Sequence, residues 1–186
     1  MLDIQFLPFT ELETERLLLR RVDGNDVDQV FKLRSDPETM KFIPRPLVAN
    51  KEEAMEHIRM IEDKVLSGEG INWAITLKGD PKLLGIIGHY RIKPEHHRAE
   101  IGYMLDPDHQ GKGIITEAIK PVLAYGFDHM KLHSIEAIID PRNIGSALVL
   151  EKNGFVREAH LRENEFFDGR FLDTVIYSLL KRNFKP

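Results

Sequence analysis

Apolar positions along this chain change period several times, and the changes mark its elements. Leu17-Leu18-Leu19, flanked by Arg16 and Arg20-Arg21, predicts a strand over 15–21. Asp23 is placed to cap a helix from about Asn25, with Val27, Val30, Phe31 and Arg34 along it. Asp36-Pro37 and Pro44-Arg45-Pro46 break any periodicity, so 35–49 is expected to be loop. Asn50 with Glu53 reads as a capping-box-like start for a helix to about Leu66, with Ala54, Ile58, Ile61 and Val65 on one face. The period then falls to two at Trp73, Ile75 and Leu77. Further strands are expected at 83–92 and 98–105, and their short connections allow only an antiparallel meander. Thr116–Met130 and Asn143–Asn153 read as helices, with Pro121 a kink or a local repair in the first and Gly154 ending the second. Strands at 134–140, 155–160 and 171–180 follow, with Glu163–Gly169 a polar connector. The order β-α-α-β-β-β-α-β-α-β-β predicts an α/β chain with a mixed sheet and helices on both faces.

Length, charge and cysteine usage narrow the function. The chain has 186 residues, 42% hydrophobic and 30% charged, with a net charge of −4. That fits one domain, 1–186, with 1–12 as an N-terminal extension. The charge gives no footprint for nucleic acid, and no run approaches the length of a membrane span. Cys is absent, which excludes thiolate catalysis and Cys-based zinc sites. Together with the lack of a signal-like N-terminus, this leads us to expect a cytoplasmic protein.

The segment His109–Glu117 is rich in chemistry. Two glycines and a lysine ahead of a helix N-terminus make an anion cradle of backbone N–H groups. It is not a Walker A loop, because Gly113 follows Lys112 where Ser or Thr is needed for Mg²⁺. It is not a dinucleotide fingerprint either, because Thr116 replaces the third glycine and a meander precedes it.

Gln110-Gly111-Lys112-Gly113-Ile114-Ile115 resembles the pyrophosphate loop of the GNAT (Gcn5-related) N-acetyltransferases, Gln/Arg-x-x-Gly-x-Gly/Ala, departing only at Ile115. Thr14–Arg20, Ala99–Tyr103, Asn143-x-x-Ser146, Glu151–Phe155 and Asp173–Leu180 are similar, in order, to the RimJ/RimL-type branch. The resemblance implies a seven-stranded mixed sheet whose fourth and fifth strands splay apart. Acetyl-CoA would lie in the gap, its pantetheine on the backbone of Met104, Leu105 and Asp106. Its pyrophosphate would lie on Gln110, Gly111, Lys112, Gly113, Ile114, Ile115 and Thr116, with Asn143 as a further cofactor-binding amide. The family pattern leaves Lys112 open between a phosphate contact and a solvated side chain. No metal is implied.

The implied reaction carries an acetyl group from a thioester to an amine. It needs a neutral amine, an oxyanion donor and a proton for the leaving thiolate. Glu100 is placed as the base, against a bland reading as an ion-pair partner of Arg98 or Arg91. Ser146 is placed as the acid, against a reading as a helix cap. An N–H near Met104 or Leu105 is the expected oxyanion donor. Glu117 reads as structural, His96-His97 as a turn, Trp73 as core and Tyr177 as a sheet residue. Phe166 and Phe167 are core or acceptor-pocket wall. An α-amine loses its proton at pH 7 for roughly 1 kcal/mol, a lysine for roughly 4.6. The RimJ/RimL-type resemblance implies a protein N-terminus of ribosomal type, and the lower cost for an α-amine agrees with it. A small amine such as a polyamine or antibiotic is the alternative, a non-catalytic acyl-CoA-binding module a third reading, and a homodimer is left open.

Overall fold

A computed structural model describes residues 2 and 4–185. Eight strands form one sheet in the order β1-β2-β3-β4-β5-β6-β8-β7: β1 (Leu12–Glu13), β2 (Leu17–Arg21), β3 (Ile71–Leu77), β4 (Asp80–Lys93), β5 (Arg98–Leu105), β6 (Ser134–Ile139), β7 (Val156–Phe167) and β8 (Arg170–Leu180). The helices are α1 (Val27–Ser35), α2 (Pro37–Met40), α3 (Lys51–Ser67), α4 (Ile114–Asp128) and α5 (Ile144–Lys152). The meander β3-β4-β5 is antiparallel as expected, and β5–β6 is the one parallel pair among the described residues.

Alternation along the central strands divides the core into two layers. Trp73, Ile75, Ile87 and Ile101 pack with α4 residues such as Ile119 and Leu123. Ala74 and Ile86, one residue out of phase, pack on the other face with Val30 of α1 and with Ile58 and Ile61 of α3. The caps form as the sequence suggests. Asp23 makes a capping box with Asp26. Asn50 accepts from the Glu53 N–H, while Glu53 reaches back one residue further than expected, to the Ala49 N–H.

Three expectations need correction. The sheet has eight strands rather than seven, because Leu12–Glu13, at the edge of the supposed extension, pairs with β2. Phe6 from that extension is buried, and Thr10 accepts from Trp73 Nε1 at 2.8 Å. The loop 35–49 contains α2, with Asp36 capping two N–H groups and Pro37 in the first turn, where its missing donor is harmless. Glu163–Gly169 is not a connector, since β7 runs through Phe167 and turns at Asp168-Gly169, both at positive φ. A bulge between Leu161 and Glu165, with Glu163 at φ 51°, erases the alternation that would have announced the strand. Pro121 lies inside α4, and the helix runs through it.

Candidate active site

The sheet opens at its parallel pair. β5 and β6 are in register only at Arg98–Ser134, Ala99–Ile135 and Glu100–Glu136, although β5 continues to Leu105 and β6 to Ile139. The free length of β5 presents alternate backbone groups to the gap. The Asp106 N–H donates to Leu84 O at 2.8 Å, so residues in phase with Asp106 turn their backbone toward β4. Met104 belongs to that set. Of the three residues expected to offer backbone to the gap, Leu105 alone does so, joined by Ile101 and Tyr103. Asp106 has another task. Its buried carboxylate accepts from Lys32 Nζ at 2.6 Å and from the Asp108 N–H at 3.0 Å, fixing the turn into the next loop. Burial would raise its pKa, but the hydrogen bonds from Lys32 and Asp108 hold it below the usual range.

Beyond that turn lies the glycine loop. Gly111 and Gly113 have φ of 71° and 74°, and Gly113 is the N-cap of α4. The first-turn N–H groups of Ile114, Ile115 and Thr116 have no intrahelical acceptor. Ile114 and Ile115 both turn their side chains into the core. This accounts for an isoleucine where the family pattern has a small residue: the side chain points inward and the N–H outward. Lys112 Nζ donates to Asp108 O at 2.8 Å, within the loop itself.

Glu117 is structural, as expected, and its partners are now visible. It accepts from Thr14 Oγ1 at 2.5 Å, the Arg16 N–H at 3.0 Å and Arg16 Nε at 2.7 Å. Burial opposes its ionisation, but these donors hold its pKa below the usual carboxylate range. The Arg16 guanidinium also donates to Lys112 O at 3.2 Å, so the turn leading into β2 is tied directly to the glycine loop. Thr14 and Arg16 lie within the family-like block Thr14–Arg20, but spacing alone gave no sign that they reach across about a hundred residues.

Glu100 sits where the strands part, only 3% exposed. Its carboxylate accepts from Arg91 at 2.8 Å, one of the partners the bland reading named; Arg98 instead holds Glu136 at 2.6 Å. Arg91 reaches it from a bulge in β4, at φ 47°. Burial pushes the Glu100 pKa up, against the pull of Arg91 and of a hydrogen bond from Tyr90. The Tyr90 ring lies across Gly102, where an added Cβ would meet its phenol oxygen at 2.2 Å.

On the opposite face of β5, Tyr103 meets α5. Asn143 is the N-cap of α5, accepting from the Ser146 N–H at 3.0 Å. Ser146 is therefore not itself the cap. The Tyr103 phenol donates to the backbone carbonyl of Ser146 at 3.4 Å; burial pushes its pKa up to about 12. Tyr103 carried no role in the sequence reading, though its odd position in Ala99–Tyr103 puts it opposite Glu100.

A cleft of about 540 Å³ opens between the loop after α2, the end of β6 and the β7–β8 hairpin. Phe167 lines it, whereas Phe166 stays exposed and pairs with Phe171 at 5.0 Å. Its ionic lining has four acids, Asp140, Glu165, Asp168 and Asp173, against four bases, Lys41, Arg45, Arg142 and Arg170. Asp140 is held by Arg142 at 2.6 Å and Asp173 by His160 at 2.7 Å. Trp73 is core, Tyr177 is a sheet residue bonded to Glu151, and His96-His97 form a turn, all as expected.

A sheet parted at one parallel pair, with a glycine loop and a helix N-terminus beyond it, is the frame of an acyl-CoA-dependent transferase. A family model described as "Acetyltransferase (GNAT) domain" matches residues 16–156. The chain belongs to the GNAT family and is a GNAT-type N-acetyltransferase. An uncharacterized N-acetyltransferase p20 of Bacillus licheniformis is 37% identical over 173 residues, 93% of this chain and 97% of that protein. Spermidine N(1)-acetyltransferase of Vibrio cholerae is 26% identical, over 85% of this chain and 89% of its own length. A structure of RimL, a ribosomal L7/L12 α-N-protein acetyltransferase in complex with coenzyme A, superposes with a TM-score of 0.83 over 92% of this chain and 98% of that one. At 20% identity that likeness is one of fold.

Proposed function

We propose that this chain moves an acetyl group from acetyl-CoA to the N-terminal α-amine of a protein, with Glu100 as base and Ser146 as acid. The observation that carries the reading is the placement of Glu100 and the Tyr103–Ser146 pair on opposite faces of β5, beside the parted strands. The acceptor and the leaving sulfur can then be served from different sides. The residues present suit the cofactor: gap-facing backbone of Ile101, Tyr103 and Leu105 matches an amide-rich arm, and residues 110–116 offer N–H groups to a pyrophosphate. The Asn143 side-chain amide, its oxygen used in the cap, keeps its N–H donors for the same ligand.

Acetyl-CoA supplies an acetyl thioester. Glu100 takes, through water, the proton the amine gives up as nitrogen bonds to the carbonyl carbon. The Leu105 N–H donates to the carbonyl oxygen as it gains charge. Ser146 Oγ–H donates to the sulfur as the C–S bond breaks, held in place by Tyr103. The raised Glu100 pKa favours a base over a permanently ionised partner.

The cleft supports a peptide acceptor over a polyamine. A polycation calls for unpaired carboxylates, and here Asp140 and Asp173 are engaged and the ionic lining balances. A small-amine acceptor has the cleft volume in its favour, since it falls within the roughly 300–1,000 Å³ of small-molecule sites. The deciding experiment is CoA release over N-terminal peptides, lysine peptides, polyamines and aminoglycosides. Turnover with N-terminal peptides bears the proposal out. Turnover with polyamines alone replaces it by the small-amine reading, and none with any amine leaves an acyl-CoA-binding module. The expected setting is the cytoplasm, and among the described residues no helix is long and apolar enough to cross a membrane.

A further inference from the structure

Two buried carboxylates stand side by side where the strands part. Glu100 of β5 and Glu136 of β6 form the last registered pair of the seam. Residues in register on parallel strands point to the same face, and adjacent strands lie about 4.8 Å apart. Their chain neighbours Ala99, Ile101, Ile135 and Ala137 all belong to the core layer under α4. The two glutamates therefore face the other side of the sheet. Ile138, next on that face of β6, lines the cleft. Exposure is 3% for Glu100 and 8% for Glu136.

Each carboxylate has its own cation. Arg91 reaches Glu100 from β4 at 2.8 Å, and Arg98 of β5 reaches Glu136 at 2.6 Å. Among the described residues no guanidinium bonds both. Tyr90 of β4 is registered opposite Glu100, and Ser178 of β8 opposite Glu136. Further out, Glu165 acts on Arg91 and Arg45 acts on Tyr90. A cation shared between two carboxylates would cancel their repulsion, whereas cations on separate carboxylates leave part of it in place.

We infer that Glu136 is a positioning residue for acetyl transfer: from the neighbouring strand, its charge makes Glu100 a readier proton acceptor beside the cleft. The inference rests on the reading of Glu100 as the base. A like charge nearby disfavours the ionised form of a carboxyl. At Glu100 burial is the larger influence, and the Glu136 charge acts in the same direction, against Arg91 and Tyr90. A base so adjusted works closer to neutral pH, where proton transfer from an amine is most effective. Arg98 holds the Glu136 carboxylate in place for this task.

The test uses the full chain with acetyl-CoA and an N-terminal peptide that turns over in the CoA-release screen. Two quantities are followed across pH: kcat, and the carboxyl-carbon NMR resonance of Glu100, assigned by its loss in Glu100→Gln. In Glu136→Gln the midpoint of the Glu100 titration should fall by about half a pH unit or more. The acid limb of kcat should fall with it, while the KM for acetyl-CoA stays unchanged. Plateau kcat should drop by about 3–10-fold as the base weakens. Glu136→Asp keeps the charge and should hold both readings near wild type. Acetyl-CoA binding reports whether each variant is folded. If Glu136→Gln does not fold, the double variant with Arg98→Gln, which strands no guanidinium, carries the test with the same expected direction. A Glu100 midpoint that stays in place, or one that moves as far in Glu136→Asp, overturns the inference and leaves Glu100 as base. A midpoint that moves while the kcat limb does not overturns both.

Discussion

His89 shows how one side chain can set the acid limit of this fold. It is fully buried beneath α4, and its Nε2 lies 2.9 Å from Val122 O, which can only accept. Nε2 therefore carries the proton, and Nδ1 is left buried without a partner. Protonating Nδ1 would strand a charge, so burial lowers the pKa to about 4 from 6.5. The unfolded chain binds this proton below about pH 6.5 and the folded chain does not, so stability falls with pH between 6.5 and 4. We expect a loss of about 2 kcal/mol between pH 7 and pH 5 from this residue. Urea titrations should show that part of the slope missing in His89→Gln. At Glu100 the same physics concerns catalysis. With its carboxyl pKa raised, wild-type kcat should fall with acid above the usual carboxylate range. Glu100→Gln should lower kcat by 10²-fold or more and remove that limb. A Gln variant with full turnover and an unchanged pH profile would remove Glu100 from the mechanism. Ser146→Ala should likewise reduce kcat more than the KM for acetyl-CoA, and Tyr103→Phe less so.

Among the elements, the glycine loop and its braces are the most exposed to single substitutions. Gly113→Asp places a side chain at φ 74° and a negative charge where the pyrophosphate is expected, so the Kd for acetyl-CoA should rise at least 10-fold by calorimetry. Asp26 is a second brace. It is buried, accepts both Arg20 nitrogens at 2.6 and 2.9 Å, and receives the Asp23 N–H. Asp26→Ala strands Arg20 and should cost about 3 kcal/mol in denaturant. These elements also show how far the sequence could be read. Local signals announced the caps at Asp23 and Asn50, the αL stop at Gly154 and the two-period strands, because each depends on neighbours within about four residues. The loop at 110–116 was legible for the same reason. What escaped depended on distance or irregularity. Thr14 and Arg16 reach Glu117 from the β1–β2 turn, Tyr103 meets Ser146 across the gap, and the bulge at Glu163 hides half of β7. No period in the chain encodes such meetings, although the blocks that contain Thr14, Arg16 and Tyr103 were visible.

At the scale of the whole molecule, helices on both faces and the meander order were legible because short linkers forbid crossovers. The eighth strand was not, because two residues carry no period. The pairing of Arg45 with Glu165 across the cleft was equally invisible, since it joins a loop near residue 45 to a hairpin near residue 165. The sheet itself has an uneven seam. Five strands lie on one side of the β5–β6 pair and three on the other, and three registered residue pairs join them. Every other strand boundary but the short β1 edge is longer. Such a seam should be the place where the sheet breathes, and its amides should exchange with solvent sooner than those of β3 and β4. A ligand spanning the seam would act as a splint. Hydrogen exchange followed by mass spectrometry should therefore show slowed uptake along 101–105 and 134–139 when acetyl-CoA is added, with the distant β2–β3 ladder unchanged.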